Sequence, residues 1–188
     1  MWSSSALAVN KFDKESPIEI RDNGGYKGVF AREYINEDSV VFYLKGTVST
    51  HPTRYTIQLK HRKHLNFPAI RQTSDDLAYC WQYLNHSCEP NGYMNTAEFT
   101  FRALRDISPG EEITFNYLTT ESEMAVPFTC ICGSANCFGF IRGRNFLSPS
   151  QSAQLSRTFG EDNVVTLFMP AAGRSSASLA GSQPGMRR

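Results

Sequence analysis

Three cysteines fall close together in Cys130-Ile131-Cys132-Gly133-Ser134-Ala135-Asn136-Cys137. On an extended chain Cys130 and Cys132 point to the same side. Gly133 and Asn136 permit a tight reversal that returns Cys137 to them. Thiolates gathered in this way suit zinc, held at about 2.3 Å from the metal. A tetrahedral structural site takes four ligands, so the knuckle alone is one short. Cys80 and Cys88 are both candidates for the fourth. The competing readings are free thiols in a reduced compartment, or one disulfide. Five cysteines in 188 residues is an odd number, which leaves one unpaired in any purely disulfide-bonded scaffold.

A second polar cluster lies upstream, at Asn85-His86-Ser87-Cys88-Glu89-Pro90-Asn91. Taken alone it reads as a loop with a Pro-Asn turn, its His and Asn structural. A third stretch, Gly110-Glu111-Glu112-Ile113-Thr114-Phe115-Asn116-Tyr117, follows a Ser108-Pro109-Gly110 turn. Ile113, Phe115 and Tyr117 alternate with Thr114 and Asn116, as on one face of a strand. The ordinary fate of aromatics at that period is core packing.

The elements that must position these groups are mostly short strands. Val40–Leu44 is an apolar run that ends before Gly46. Tyr55, Ile57 and Leu59 alternate with polar neighbours, as do Phe99, Phe101 and Ala103, and both patterns predict half-buried strands. Asn23-Gly24-Gly25-Tyr26-Lys27-Gly28 reads as a glycine turn between two strands. Helix is scarce. Asp75 or Asp76 can cap a short helix bearing Leu77, Trp81 and Leu84. Ser148-Pro149 predicts another over Gln151–Leu155, with Pro at its first position.

Composition bounds the class. At 40% hydrophobic and 12% aromatic, the chain has enough apolar surface for a folded core. The globular part is expected at roughly 15–160. Residues 1–15 read as a loose lead-in, and 171–188, rich in Ala, Ser, Gly and Arg with no acid, as a disordered tail. No apolar run is long enough for a transmembrane helix, and the start lacks the basic region of a secretory signal. A formal net charge of +1 argues against a dedicated nucleic-acid binder. Lys60-His61-Arg62-Lys63-His64 is the one dense basic run. It reads as a solvated hairpin or strand end, with a patch for nucleic acid or an acidic partner as the alternative.

In this order, the Asn-His-Ser-Cys loop, the Gly-Glu-Glu-Ile-Thr-Phe-Asn-Tyr strand and the Cys-x-Cys-x4-Cys knuckle resemble the SET-domain protein lysine methyltransferases with their post-SET zinc segment. The resemblance covers about Ile18 to Leu147 and is to short, stand-alone members. It implies a mainly β fold, a β-clip of several small sheets around a threaded pseudoknot, with few short helices and a C-terminal zinc knuckle. The SET domain is then expected over 16–120, the post-SET zinc segment over 121–147, and an extension with a short helix over 148–170. The cofactor implied is S-adenosylmethionine, with Asn85, His86, Tyr26, Lys27, Gly28 and Tyr117 around it and Phe138 (or Phe140) closing over the adenine. Tyr117 matches the family's catalytic tyrosine. Phe115 matches the position at which Phe goes with di- or trimethylation. Cys88 becomes the fourth ligand of one structural zinc, beside Cys130, Cys132 and Cys137, and Cys80 is left as core. The sequence departs from the family where Tyr26 stands for a glycine, Leu44 for a channel Tyr, Gln82 for an Arg and Asn116 for an Asp.

The implied activity is transfer of methyl groups to a lysine of a protein or peptide substrate, with histone tails among the candidates. Weak or no nucleic-acid binding, no membrane association and a nuclear or cytoplasmic location are expected, and oligomeric state is left open. The alternative is a catalytically weak SET-like module that binds a peptide or chromatin partner.

Overall fold

Short apolar runs punctuated by Gly, Pro and Asp make short strands, and that is what the chain forms. The computed structural model describes residues 16–22, 24–68 and 73–160, with the side chains of 73–75 left out. The lead-in at 1–15, Asn23, the 161–170 part of the extension and the tail at 171–188 lie outside the described residues. In chain order the strands are β1 (Ile18–Asp22), β2 (Lys27–Ala31), β3 (Val40–Tyr43), β4 (Thr47–Ser49), β5 (Ile57–Lys60), β6 (Lys63–Asn66), β7 (Asn85–His86), β8 (Gly92–Asn95), β9 (Thr100–Ala103), β10 (Glu112–Phe115), β11 (Phe128–Thr129) and β12 (Phe140–Ile141). One α-helix, α1 (Pro149–Phe159), and three 3₁₀ helices complete the described elements.

The strands form four small sheets, ordered β1-β2-β10-β7, β3-β9-β8, β4-β6-β5 and β11-β12. Among the described residues all strand pairings are antiparallel but one: β7 lies parallel to β10, with Asn85 opposite Thr114 and His86 opposite Phe115. A parallel pair cannot be closed by a tight turn. The intervening chain therefore leaves as β8 and β9, pairs with β3 in another sheet, and returns. This excursion sets two motifs that are distant in sequence edge to edge.

Apolar side chains divide between two cores. The larger is lined by Val29, Phe42, Leu65, Trp81, Phe101, Ile107, Ile113 and Phe115 among others, with Phe42 and Phe101 stacked at 4.9 Å. The smaller gathers Cys88, Leu118, Phe138, Ile141, Leu155 and Phe159 at the C-terminal end. α1 serves it: Leu155 and Phe159, four apart, share one buried face. Ser148 and Gln151 form a capping box at its start. The helix runs past Leu155 to Phe159 because that second apolar contact holds its last turn.

Several local expectations are corrected. β10 stops at Phe115, and Tyr117 opens a 3₁₀ turn, Tyr117–Thr119. The cause is Asn116, whose side-chain oxygen accepts the Leu118 N–H at 3.0 Å and turns the chain out of the strand. Tyr55 lies in the turn before β5, and Phe99 sits at φ 55° in the turn before β9, so neither continues the alternation of its strand. The segment Thr73–Tyr83 is 3₁₀, with a break at Tyr79, rather than a regular helix. Its Trp81 is almost fully buried and its indole N–H donates to the Lys45 carbonyl at 2.9 Å, so tertiary anchoring sets the path. In the basic run β5 and β6 do make a hairpin, but His64 is buried, not solvated, on the strand beside Gln58. No helix among the described residues is long and apolar enough to cross a membrane.

Candidate functional site

The four sulfurs of Cys88, Cys130, Cys132 and Cys137 lie within 4.8 Å of one another. Cys88 Sγ is 3.8 Å from both Cys130 Sγ and Cys137 Sγ. Four thiolates at about 2.3 Å around one tetrahedral zinc stand about 3.8 Å apart, so the donor set and its spacing fit that ion. The Phe138 N–H points at Cys88 Sγ (3.3 Å) and the Gly139 N–H at Cys137 Sγ (3.4 Å), contacts that favour thiolates. Gly133, at φ 74°, makes the reversal between Cys132 and Cys137. Cys88, not Cys80, joins the knuckle. Cys80 is 1% exposed in the larger core, where burial pushes its thiol up.

His86 stands between this cluster and Tyr117. Its Nδ1 accepts the Tyr117 backbone N–H at 3.1 Å, which leaves the ring proton on Nε2. Nε2 lies 3.3 Å from Cys88 Sγ. Burial lowers the imidazole pKa to about 4, so the ring is neutral and holds this tautomer. Its edge also packs against the Tyr117 and Phe128 rings. His86 thus acts as a strut from the cysteine cluster to the backbone of Tyr117.

The Tyr117 hydroxyl donates to the Leu84 carbonyl at 2.7 Å. Burial first, then the charges of Glu121 and Glu112, push the phenol above its ordinary range and keep it protonated. With its proton committed to Leu84, the oxygen offers only lone pairs to a visitor. Phe115, with its ring 4.8 Å from that of Tyr117, is the neighbouring aromatic.

Two hollows meet at Tyr117. One is a small chamber of about 40 Å³ walled by Ile57, Trp81, Leu84, Phe115, Tyr117 and Glu121, with Thr53–Thr56, Met124 and Ala125 at its mouth. The other is an open crevice of about 480 Å³ bordered by Asp22, Gly25, Tyr26, Lys27, Tyr83 and Asn85. Arg54, Tyr55, Gln82, Leu84 and Tyr117 border both. The crevice lies within the usual size range of a small-molecule site, about 300–1,000 Å³. Asn85 Nδ2 donates to the Lys27 carbonyl (3.2 Å) and to Glu112 Oε1 (2.6 Å), which fixes the amide at the crevice edge.

Of the residues singled out in the sequence, Tyr26, Lys27, Asn85 and Tyr117 line the crevice together, and Phe115 and Tyr117 line the chamber. Gly28 does not line it but backs it. A Cβ there would sit 2.7 Å from Glu112 Oε1 and 2.9 Å from the Phe30 ring, so glycine lets Glu112 reach Asn85. Phe138 lines neither hollow and is buried in the smaller core, while Phe140 is exposed. Leu44 packs into the larger core, and neighbouring Tyr43 faces outward. Sequence reasoning missed Arg54, Tyr55 and Glu121. Arg54 and Tyr55 read as strand and loop, and Glu121 follows the last recognisable motif with no periodic signal of its own.

Residues 26–118 match the family model of the SET domain. A methyltransferase of Aspergillus flavus, flvH, is 44% identical over 95 residues, covering 50% of this chain and 49% of its own. An H3 lysine-36 specific histone-lysine N-methyltransferase of Candida albicans is 31% identical over 134 residues, covering 64% of this chain and 16% of its own. Among solved structures, KRYPTONITE in complex with mCHG DNA and SAH matches with TM-score 0.49 and 21% identity, over 65% of this chain and 28% of that one. The chain spans half or less of the length of these curated relatives. It carries, over residues 26–118, a SET domain, and the relatives of that domain are methyltransferases.

Proposed function

We propose that the chain is a protein-lysine N-methyltransferase that uses S-adenosylmethionine, with residues 121–147 as a zinc-bearing post-SET segment. The observation that carries this reading is the placement of Tyr117 where the open crevice meets the narrow aromatic chamber. Two substrates that must react in line need two approaches that converge on one point. The crevice suits the methyl donor: Asp22 and Lys27 offer opposite charges on its rim to the donor's ammonium and carboxylate, and Asn85 stands at its edge. Bound there, S-adenosylmethionine supplies a methyl group on a sulfonium. The rest is done by this chain's side chains.

The chamber suits the lysine. A free lysine has a pKa near 10.4 and is almost wholly protonated at neutral pH. Apolar walls at Ile57, Trp81, Leu84 and Phe115 disfavour the ammonium and exclude bulk water. Tyr117 Oη, its proton engaged by Leu84, accepts a hydrogen bond from the amine and aims the remaining lone pair. Phe115 adds bulk without a polar group beside that nitrogen, which supports di- or trimethylation as the outcome. His86, held by Cys88, positions the Tyr117 backbone. Phe138 then serves the metal end of the molecule rather than the adenine. Histone-modifying relatives support a histone tail as substrate and the nucleus as its place.

The test is transfer of labelled methyl from S-adenosylmethionine to an array of lysine peptides, with product masses read. Wild type is expected to give di- or trimethylated product. Tyr117→Phe should lose about 10²-fold or more while still binding the donor, and Phe115→Tyr should shift the product to monomethyl. Equal transfer by wild type and Tyr117→Phe overturns the reading. Donor binding without any transfer would favour the peptide-binding module instead.

A further inference from the structure

The chamber contains one carboxylate that the mechanism above leaves unused. Glu121 is 7% exposed and lines the same wall as Phe115 and Tyr117. Its Oε1 is fixed, accepting the Gln58 N–H at 2.7 Å and the Thr120 hydroxyl at 3.1 Å. No hydrogen bond to Oε2 is found among the described residues. Arg144 is the cation nearest in role, yet it makes no ion pair with Glu121 among the described residues. Its backbone N–H goes to the Glu121 carbonyl (2.9 Å), and its Nη1 is buried without a partner. Arg54 is the other charged group lining the chamber, and β5 presents Gln58 with no charge. An ionised carboxylate this buried and this poorly neutralised is costly. It can relieve the cost by taking a proton or by facing a cation from outside.

We propose that Glu121 is the proton acceptor for the target lysine. The inference rests on the lysine-methyltransferase reading and deepens it. The substrate enters as an ammonium, drawn by the free Oε2. One N–H bond breaks and an O–H bond forms at Oε2. The electron pair stays on nitrogen and becomes the nucleophile. Glu121 leaves the step as a neutral carboxylic acid, and the proton passes to water when product departs. Each methyl added needs one such deprotonation, so product departs between rounds and the same carboxyl, its proton passed to water, serves the next.

The environment agrees with this role. Burial pushes the carboxyl up to about 7, against the Gln58 N–H, the Thr120 hydroxyl and Arg144, which pull it down. A base near 7 is matched to neutral pH. The ionised form is the active one, so activity should rise as pH climbs through that value and then level off.

The test is the pH profile of kcat/KM with a lysine peptide from pH 6 to 10. Glu121→Gln keeps an oxygen for the Gln58 N–H but cannot accept the proton. It should be about 10²-fold slower near pH 7.5, with no plateau. Its log rate should keep climbing toward the lysine's own pKa, so that the gap to wild type closes near pH 10. Thr120→Val removes the hydroxyl that helps hold the charge and should move the rising limb to higher pH. Melting temperature and calorimetric donor affinity identify the folded variants. A wild-type profile in either folded variant overturns the assignment of Glu121 and leaves the methyltransferase reading standing. Absence of transfer by wild type itself overturns both.

Discussion

The two cores of this molecule are held by different physics. The larger buries eighteen hydrophobic residues among those described, drawn from three sheets and the Trp81 segment. The smaller buries six, and one of these is Cys88. Its sheet is two strands of two residues each, and Ile131 beside it is 94% exposed. Fully burying one large apolar side chain contributes about 1.5–3 kcal/mol. A structural zinc contributes about 10–16 kcal/mol of apparent binding energy at neutral pH. One such metal on the four thiolates would rival everything else at that end. Tyr117 lies at the seam: Phe115 of the larger core precedes it, Leu118 of the smaller core follows it, and His86 ties it to Cys88. A site built at the junction inherits the weaker side's dependence.

That contrast can be broken most directly by removing the metal. One zinc per chain is expected by elemental analysis. A strong chelator, or Cys132→Ser, should expose 121–160 to proteolysis and fast hydrogen exchange while 18–115 stays protected, with methyl transfer abolished. Full activity in metal-free protein would show that the two ends are not coupled. Next in size is Trp81→Ala, which should cost about 3–5 kcal/mol of unfolding free energy. Its zinc content should stay at wild-type level under native conditions, and loss of zinc would show that the larger core also shapes the metal site. Smallest is Ser148→Ala. Loss of the capping box should cost about 1 kcal/mol, read as faster exchange in α1 and no change in β1 or β2.

The readable parts were those whose chemistry is local in the chain. The Cys130–Cys137 knuckle, the Ser148-Pro149 helix start, the Ser108-Gly110 turn and the Val40–Tyr43 strand each carry their own signal in a few residues. The misread parts were decided by partners far away. Tyr117 looked like a strand residue because period two continued through it, and only the bond from Leu118 to Asn116 ended the strand. His64 looked solvated because it sits in a basic run, and only the pairing of β6 with β5 buries it. Glu121 gave no signal, since its importance comes from Gln58 and Thr120 holding it against a chamber formed by three other segments.

Residue type and spacing alone showed three clustered thiolates suited to a metal and short of a fourth ligand, and the resemblance to a known family singled out the Asn-His loop and the aromatic pair at Phe115 and Tyr117. Thiol, imidazole and phenol chemistry belongs to the side chain and needs no fold to be recognised. The tertiary structure alone decided which of them meet. The parallel pairing of β7 with β10 chose Cys88 over Cys80, turned His86 toward both sulfur and Tyr117, and opened two hollows on a single hydroxyl. Contacts between residues tens of positions apart follow from the closing of sheets and cores, and no window of sequence contains them.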